Sequence, residues 1–135
     1  MIIVVDTNIL FRFFWQNSLI RQILISKNKG FFSPELAMDE IKKYSSLIVS
    51  KTKISHKEFN SELNRLTSLV KFVPKKDFLN FIKEAEKISP DKDDADFLAL
   101  CLKLNAPLWS NDGELKKQNK IIVLDTQDII SLYLD

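Results

Sequence analysis

The chain has 135 residues, of which 45% are hydrophobic, and this supplies enough apolar surface for one domain with its own core. Its 20 Lys and Arg against 18 Asp and Glu leave a net charge of +2, which excludes a polycation that binds nucleic acid by charge alone. One cysteine (Cys101), one histidine (His56) and two glycines exclude a disulfide framework, cysteine-clustered or histidine-rich metal sites and glycine-rich phosphate-binding loops.

The apolar beginning of the chain, residues 1–20, raises the question of a signal peptide or a membrane-spanning segment. It has no basic region and no small-residue cleavage site, and Asp6, Arg12 and Gln16 interrupt it. We therefore interpret it as a buried strand and a helix, and we expect a cytoplasmic protein that does not bind a membrane.

The first half of the chain predicts two short apolar strands, each followed by helices. A β-branched run at residues 2–5 ends in a polar turn, and Pro34 lies where a helix begins. Ser55 and Glu58 form a capping-box pattern at the start of another helix. The predicted elements are, in order, a strand at 2–5, helices at 9–15 and 18–26, a strand at 30–33, and helices from 34 to about 50 and from 55 to about 70.

The second half continues this alternation of helices and short apolar strands. Its predicted elements are an edge strand at 71–73, helices at 76–88 and 93–104, a strand at 107–109, a short helix after Gly113, a strand at 121–124 and a helix from about 126. Short all-apolar strands between helices are typical of a parallel sheet buried on both faces. We therefore predict one α/β domain over residues 1–135, with three layers (α/β/α) around a central, mainly parallel sheet. Its functional cleft should lie at the carboxyl ends of the strands.

Two acidic side chains follow predicted strands at that edge of the sheet. Asp6 comes directly after the first strand, and Asp112 follows the strand at 107–109. Each could instead cap the helix after it, since aspartate is a favoured N-cap residue.

Glu40 stands out because its neighbours along one face of the predicted helix are apolar or aromatic. These neighbours, one and two turns away, are Leu36, Ala37, Tyr44 and Leu47. The pattern predicts that Glu40 lies on the core-facing stripe, where a carboxylate is costly unless it is paired or binds a cation. The alternative is a glutamate at the rim of the stripe that pairs with Lys43.

The run at residues 90–96 places four acidic residues at the start of a helix. Acidic residues in a first turn are favoured by the helix dipole, which is the simpler interpretation. Asp94 lies on the predicted buried side, so we take it as the inward acid, with Asp93 and Asp96 as lesser candidates. Several carboxylates brought into one cleft repel one another, and a hard divalent cation relieves that repulsion. An all-oxygen set of ligands favours Mg²⁺ or Mn²⁺ over zinc.

The chain resembles the PIN-domain nucleases, in particular the VapC-like group, and the resemblance extends over nearly the whole sequence. It rests on four motifs in order, which are a strand followed by Asp6-Thr7-Asn8, the helix acid in Ser33-Pro-Glu-Leu-Ala-Met-Asp-Glu40-Ile, the segment Asp94-Ala-Asp-Phe-Leu-Ala-Leu, and Ser110-Asn-Asp112 after a strand. The resemblance implies a PIN-like fold and cleavage of single-stranded RNA that depends on Mg²⁺ or Mn²⁺. VapC-like members are commonly toxins paired with an antitoxin protein and are often homodimers.

The resemblance also implies which residues form the site. Asp6, Glu40 and Asp94 would be the main metal ligands, and Asp112 would complete a second metal site or orient the attacking water. Whether one ion or two are bound stays open. The supporting residues implied by the motifs are Thr7, Asn8 and Ser110.

Two other functions are compatible with parts of the pattern. A haloacid-dehalogenase-like phosphatase also has an aspartate after its first strand, but that family needs a second aspartate two residues on, where this chain has Asn8. A catalytically silent PIN-like module that binds RNA or protein is the second alternative, and the presence of all four acids argues against it.

Residues 10–15 are too broadly apolar for a helix that is covered on one side only. We therefore predict a homodimer whose interface uses this helix, with Phe11 or Phe14 and residues up to Ile20 exposed in a lone chain. Several lysines could flank the cleft and contact RNA phosphates, or could simply be solvated surface residues; they are Lys42, Lys43, Lys51, Lys53, Lys116, Lys117 and Lys120.

Overall fold

The computed structural model describes residues 1–26 and 30–133. At its centre is a five-stranded sheet in which every pair of neighbouring strands is parallel. The strands are β1 (Ile3–Val5), β2 (Phe31–Pro34), β3 (Val70–Val73), β4 (Leu108–Trp109) and β5 (Val123–Leu124). Their order across the sheet is β3-β2-β1-β4-β5.

Helices flank this sheet and complete the predicted three-layer α/β/α fold. They are α1 (Thr7–Phe11), α2 (Leu19–Ser26), α3 (Glu35–Lys43), α4 (Ser45–Thr52), α5 (His56–Leu69), α6 (Ile82–Ile88), α7 (Ala95–Leu104) and α8 (Thr126–Tyr133). Short 3₁₀ turns lie at Arg12–Phe14, Lys75–Asp77, Leu79–Phe81, Lys92–Asp94 and Gly113–Lys117. The capping box predicted at Ser55 and Glu58 is confirmed, since both of its hydrogen bonds are present.

The order of the strands reverses at β1, and this reversal creates the crevice that carries the site. The chain moves from β1 to β2 and β3 on one side, and then crosses to β4 and β5 on the other. In register, Val4 lies opposite Leu108 and Val5 opposite Trp109. The residues that follow β1 and β4 therefore emerge side by side at the carboxyl edge of the sheet, where ligands bind in open parallel sheets.

Two predicted helices, those from 34 to about 50 and at 76–88, have other bounds in the structure. The helix expected from 34 to about 50 is two helices, because the backbone at Tyr44 (φ −98°, ψ 16°) departs from helical geometry between α3 and α4. Pro34 is the N-cap of α3 and not its first helical residue, and it also ends β2, where it lies in register with Val73. The helix expected at 76–88 starts later, since Phe78 (φ −125°, ψ 15°) separates two 3₁₀ turns that precede α6.

The aromatic segment after β1 is packed differently from our expectation. The helix predicted at 9–15 tightens into a 3₁₀ turn after Phe11, and this turn directs Phe13 and Phe14 into the core. Phe14 stacks on Phe59 of α5 with 4.9 Å between the ring centroids. The prediction that Phe11 or Phe14 and residues up to Ile20 are exposed is therefore wrong for Phe14 and Ile20, which are buried. Phe11 is half-buried, and Leu19 is 49% exposed.

Over residues 1–26 and 30–133, the structure has no helix that is both long enough and apolar enough to span a bilayer.

Candidate functional site

Asp6 lies at the carboxyl end of β1 and is 8% exposed. Its Oδ1 accepts a 2.8 Å hydrogen bond from the Thr7 backbone N–H, and its Oδ2 accepts a 2.7 Å bond from the Ser110 hydroxyl. Burial raises the pKa of Asp6 more than these two hydrogen bonds lower it, and the charge of Asp112 raises it further. Asp6 thus caps α1, as one interpretation proposed, and also faces other acidic groups.

Ser110 joins the ends of the two central strands. Its hydroxyl donates to Asp6 and accepts a 3.1 Å hydrogen bond from the Asp112 backbone N–H. Asp112 itself is exposed, and its Oδ1 accepts a 3.0 Å bond from the N–H of Glu114 at the following 3₁₀ turn. The loop that carries Asp112 is therefore anchored to Asp6 through one buried hydroxyl group.

Glu40 is half-buried on α3, and its Oε1 accepts a 2.8 Å hydrogen bond from the Thr7 hydroxyl. No ion pair joins Glu40 to Lys43 within the described residues, which argues against the rim-pairing interpretation. The prediction that its stripe faces the core is wrong for three of the four neighbours. Leu36, Tyr44 and Leu47 are 37%, 42% and 51% exposed.

Asp94 lies at the end of the 3₁₀ turn before α7 and is half-buried. Its pKa is raised to about 6, chiefly by burial and then by the charges of Asp6, Asp91, Asp112 and Asp93 in that order. Asp94 therefore feels the charges of both strand-end aspartates.

The two lesser candidates have other surroundings. Asp93 is exposed, and its backbone N–H donates to Oδ1 of Asp91. Asp96 forms a 3.9 Å ion pair with Lys75.

A cleft of about 1100 Å³ is lined by Glu40 and Asp112, whereas Asp6 and Asp94 are not among its lining residues. Glu40, Asp112, Asn8 and Asn111 contribute its polar wall. The rest of the lining comes from the first helical segment and from the α3–α4 junction, with Ile9, Phe11, Arg12, Trp15, Tyr44, Leu47, Ile48 and Lys51. The exposed side of the stripe around Glu40 thus lines an open cleft instead of the core.

Sequence reasoning missed two kinds of residue in this cleft. The helical spacing of Tyr44 and Leu47 from Glu40 predicts that both face the core, although both line the cleft. Asn111 lies within the quoted motif, yet we gave it no role. Its Oδ1 accepts hydrogen bonds from the backbone N–H of Thr126 (2.8 Å) and from that residue's hydroxyl (3.0 Å). It therefore ties the Asp112 loop to the start of α8.

The donor set available here consists of carboxylate oxygens. Such donors suit Mg²⁺ or Mn²⁺, and the raised pKa values of Asp6 and Asp94 show carboxylates whose negative charge is poorly compensated. In the described parts of the chain, no three acidic, histidine or cysteine side chains stand at the spacing of a formed metal site. The chemistry of the residues fits a hard divalent cation, and binding one would require the carboxylates to draw closer together.

Comparison with known proteins gives two kinds of similarity. A sequence profile described as PIN domain matches residues 4–134. The fold is similar to that in the crystal structure of VapBC2 from Rickettsia felis bound to a DNA fragment from their promoter (TM-score 0.62, 20% identity, covering 93% of this chain and 98% of that one). It is also similar to PAE2754 from Pyrobaculum aerophilum (TM-score 0.68, 14% identity, 98% and 88% coverage). No curated protein sequence is significantly similar to the chain.

Proposed function

This chain belongs to the PIN domain family, and we propose that it is a metal-dependent endoribonuclease that hydrolyses phosphodiester bonds of single-stranded RNA. One observation carries the proposal. A continuous path of hydrogen bonds runs from Glu40 through Thr7 to Asp6, and from Asp6 through Ser110 to the Asp112 backbone. The path thereby holds the carboxylates of Glu40 and Asp6 and fixes the backbone of Asp112 beside the strand-order reversal.

The proposed metal ligands are Asp6, Glu40 and Asp94, with Asp112 either completing a second site or orienting the attacking water. When bound, Mg²⁺ or Mn²⁺ neutralises the charge that develops on a phosphate and lowers the pKa of a water molecule. Repulsion among the negative charges of Asp6, Asp94 and Asp112 supports this assignment. This repulsion destabilises the metal-free protein, and a bound divalent cation would offset it.

The supporting residues hold these carboxylates in place. The Thr7 hydroxyl orients Glu40, and the Ser110 hydroxyl orients Asp6 while it fixes the Asp112 loop. Asn8 lines the cleft next to them and is available to contact a substrate. The proposed role of Thr7 and Ser110 is therefore positioning, since their hydroxyl groups hold Glu40 and Asp6.

We further propose that the chain is the toxin of a toxin–antitoxin pair, with a cognate antitoxin protein and a homodimer as its assemblies. The fold shared with VapBC2 supports the antitoxin partner. The homodimer stays a prediction, and the burial of Phe14 and Ile20 removes part of its original basis. Light scattering of the purified chain tests it, and a monomer at micromolar concentration would contradict it.

The nuclease activity is tested by incubating the protein with single-stranded RNA in Mg²⁺, in Mn²⁺ and in EDTA. We expect endonucleolytic products only with the divalent cations. Glu40→Gln should abolish them, whereas its matched control Asp39→Asn, an exposed acid next to it on the same helix, should cleave like the parent. Hydrolysis of a phosphomonoester would instead indicate the phosphatase, and an intact RNA in every buffer would indicate the silent module.

A further inference from the structure

We propose that the cleft wall formed by Trp15 and Tyr44 is a nucleobase-stacking subsite, which binds the bases of single-stranded RNA next to the carboxylates. This inference rests on the proposed nuclease function and names how its substrate is held. The two aromatic side chains come from different segments, one after the first helix and the other between α3 and α4.

The rings of Trp15 and Tyr44 are accessible to solvent. Phe13 and Phe14 of the 11–15 segment are buried, but Trp15 is half-buried and Tyr44 is 42% exposed. The rings of Phe11 and Tyr44 pack edge to face, with 6.0 Å between their centroids. This contact orients the ring of Tyr44, which is not part of the buried core. Exposed aromatic rings held in fixed orientation are the platforms on which proteins stack unpaired bases.

The cleft wall also carries positive charge. Arg12 and Lys51 line the same cleft, and neither forms an ion pair with another described residue. The guanidinium carbon of Arg12 lies 5.4 Å from the centre of the Trp15 ring. By contrast, Lys116 and Lys117 are engaged by carboxylates of their own surroundings. Two cations without an ion pair among the described residues, Arg12 and Lys51, therefore lie on the wall that carries the aromatic rings, where they can contact an anionic strand.

Tyr44 lies one turn after Glu40, immediately beyond the end of α3, and its backbone N–H donates a 3.1 Å hydrogen bond to the Glu40 carbonyl oxygen. Both side chains line the same cleft. A phosphate bound through a cation at Glu40 would therefore have an adjoining base within reach of Tyr44. Exposed rings and unpaired cations favour a nucleic acid over an apolar protein segment at this wall.

Tryptophan fluorescence tests the subsite directly, because the two tryptophans differ in access. Trp109 is fully buried, so a base that stacks in the cleft can quench only Trp15. We expect an oligoadenylate, added in metal-free buffer so that it stays intact, to quench the emission of the parent but not of Trp15→Phe. An abasic oligomer of equal length, which has the same phosphates, should quench little.

Variants of Tyr44 give an independent measurement of affinity. Tyr44→Leu should weaken oligoadenylate binding by about 5- to 100-fold, whereas Tyr44→Phe, which keeps the ring, should bind like the parent. Leu79→Ala, an exposed apolar residue outside the cleft, is the matched control. Arg12→Gln and Lys51→Gln should each lower the slope of log affinity against log salt by about 0.7.

The outcomes separate the subsite from the nuclease function. Cleavage of RNA in Mg²⁺ without quenching of Trp15 would overturn the subsite alone. Quenching without cleavage in any metal would support the subsite and overturn the nuclease. Equal RNA affinity of Tyr44→Leu and the parent would also overturn the subsite, and would assign this wall to a protein partner.

Discussion

The Thr7 hydroxyl donates a 2.8 Å hydrogen bond to Oε1 of Glu40, a residue 33 positions further along the chain. Thr7 also donates its backbone N–H to Asp6, so a single residue holds two of the proposed metal ligands. The bond to Glu40 depends on the close approach of α1 and α3, whereas the bond to Asp6 joins adjacent residues.

Thr7→Val should lower RNA cleavage by about 10- to 100-fold, since groups that orient metal ligands have effects of this size. The valine keeps the shape of the buried side chain but cannot donate to Glu40. We expect a loss of about 1 kcal/mol in the free energy of unfolding, because one hydrogen bond is removed. Thr7→Ser should restore both cleavage and the affinity for Mn²⁺ measured by titration calorimetry. Unchanged Mn²⁺ affinity in Thr7→Val would contradict a positioning role.

Asp6→Asn should abolish metal-dependent cleavage and leave the fold intact. Because burial and Asp112 raise the pKa of Asp6, its charge is a cost to the metal-free protein, and removing it should leave thermal stability unchanged or raise it. Thermal unfolding in EDTA measures this. A clear drop in melting temperature would mean that Asp6 serves mainly as the cap of α1.

Asp94 predicts how the stability of the metal-free protein depends on pH. Its folded pKa of about 6 lies above its ordinary value of 3.8, so the folded state binds the proton more tightly. The stability that the folded protein gains from protonated Asp94 is fully present below pH 3.8 and is lost as the pH rises through about 6. Asp94→Asn should remove this part of the profile and be more stable than the parent at pH 7 by roughly 1 kcal/mol, a figure discounted because the half-buried group is screened by solvent. If the free energy of unfolding changed between pH 4 and 7 by the same amount in the parent and in Asp94→Asn, this would contradict the raised pKa of Asp94.

Much of the fold follows from the sequence, because short apolar runs between helices leave a buried parallel sheet as the only way to cover both faces. Asp6 and Asp112 could be placed at one edge for the same reason. The surroundings of Glu40 could not be predicted from the sequence, because helical periodicity identifies an apolar face but does not show whether that face covers a core or lines a cleft. The pattern also does not reveal the break at Tyr44 between α3 and α4, or that Leu36, Tyr44 and Leu47 on that face are exposed.

The packing of the aromatic residues at 11–15 could not be predicted from the sequence either. A helix of constant pitch would have spread residues 11–15 around its surface, and some of them would have been exposed. The tightening into a 3₁₀ turn depends on tertiary contacts, among them the packing of Phe14 on Phe59. Contacts between residues so far apart in sequence leave no local signal.

Glu62→Gln should destabilise the protein without removing its activity, the opposite of the effect expected for Asp6→Asn. Arg21 is buried, and its Nη1 donates to Oε2 of Glu62 (2.5 Å) and to the carbonyl oxygen of Phe13 (2.7 Å). Neutralising Glu62 leaves the guanidinium charge poorly compensated, which should cost about 3 kcal/mol of unfolding free energy. Urea denaturation measures the loss, and Arg21→Met combined with Glu62→Leu should recover part of it because no unpaired charge remains. Below its unfolding transition, Glu62→Gln should cleave RNA like the parent, since this ion pair does not line the cleft. Loss of cleavage in a folded Glu62→Gln protein would show that the pair acts on the site, through the segment that carries Trp15.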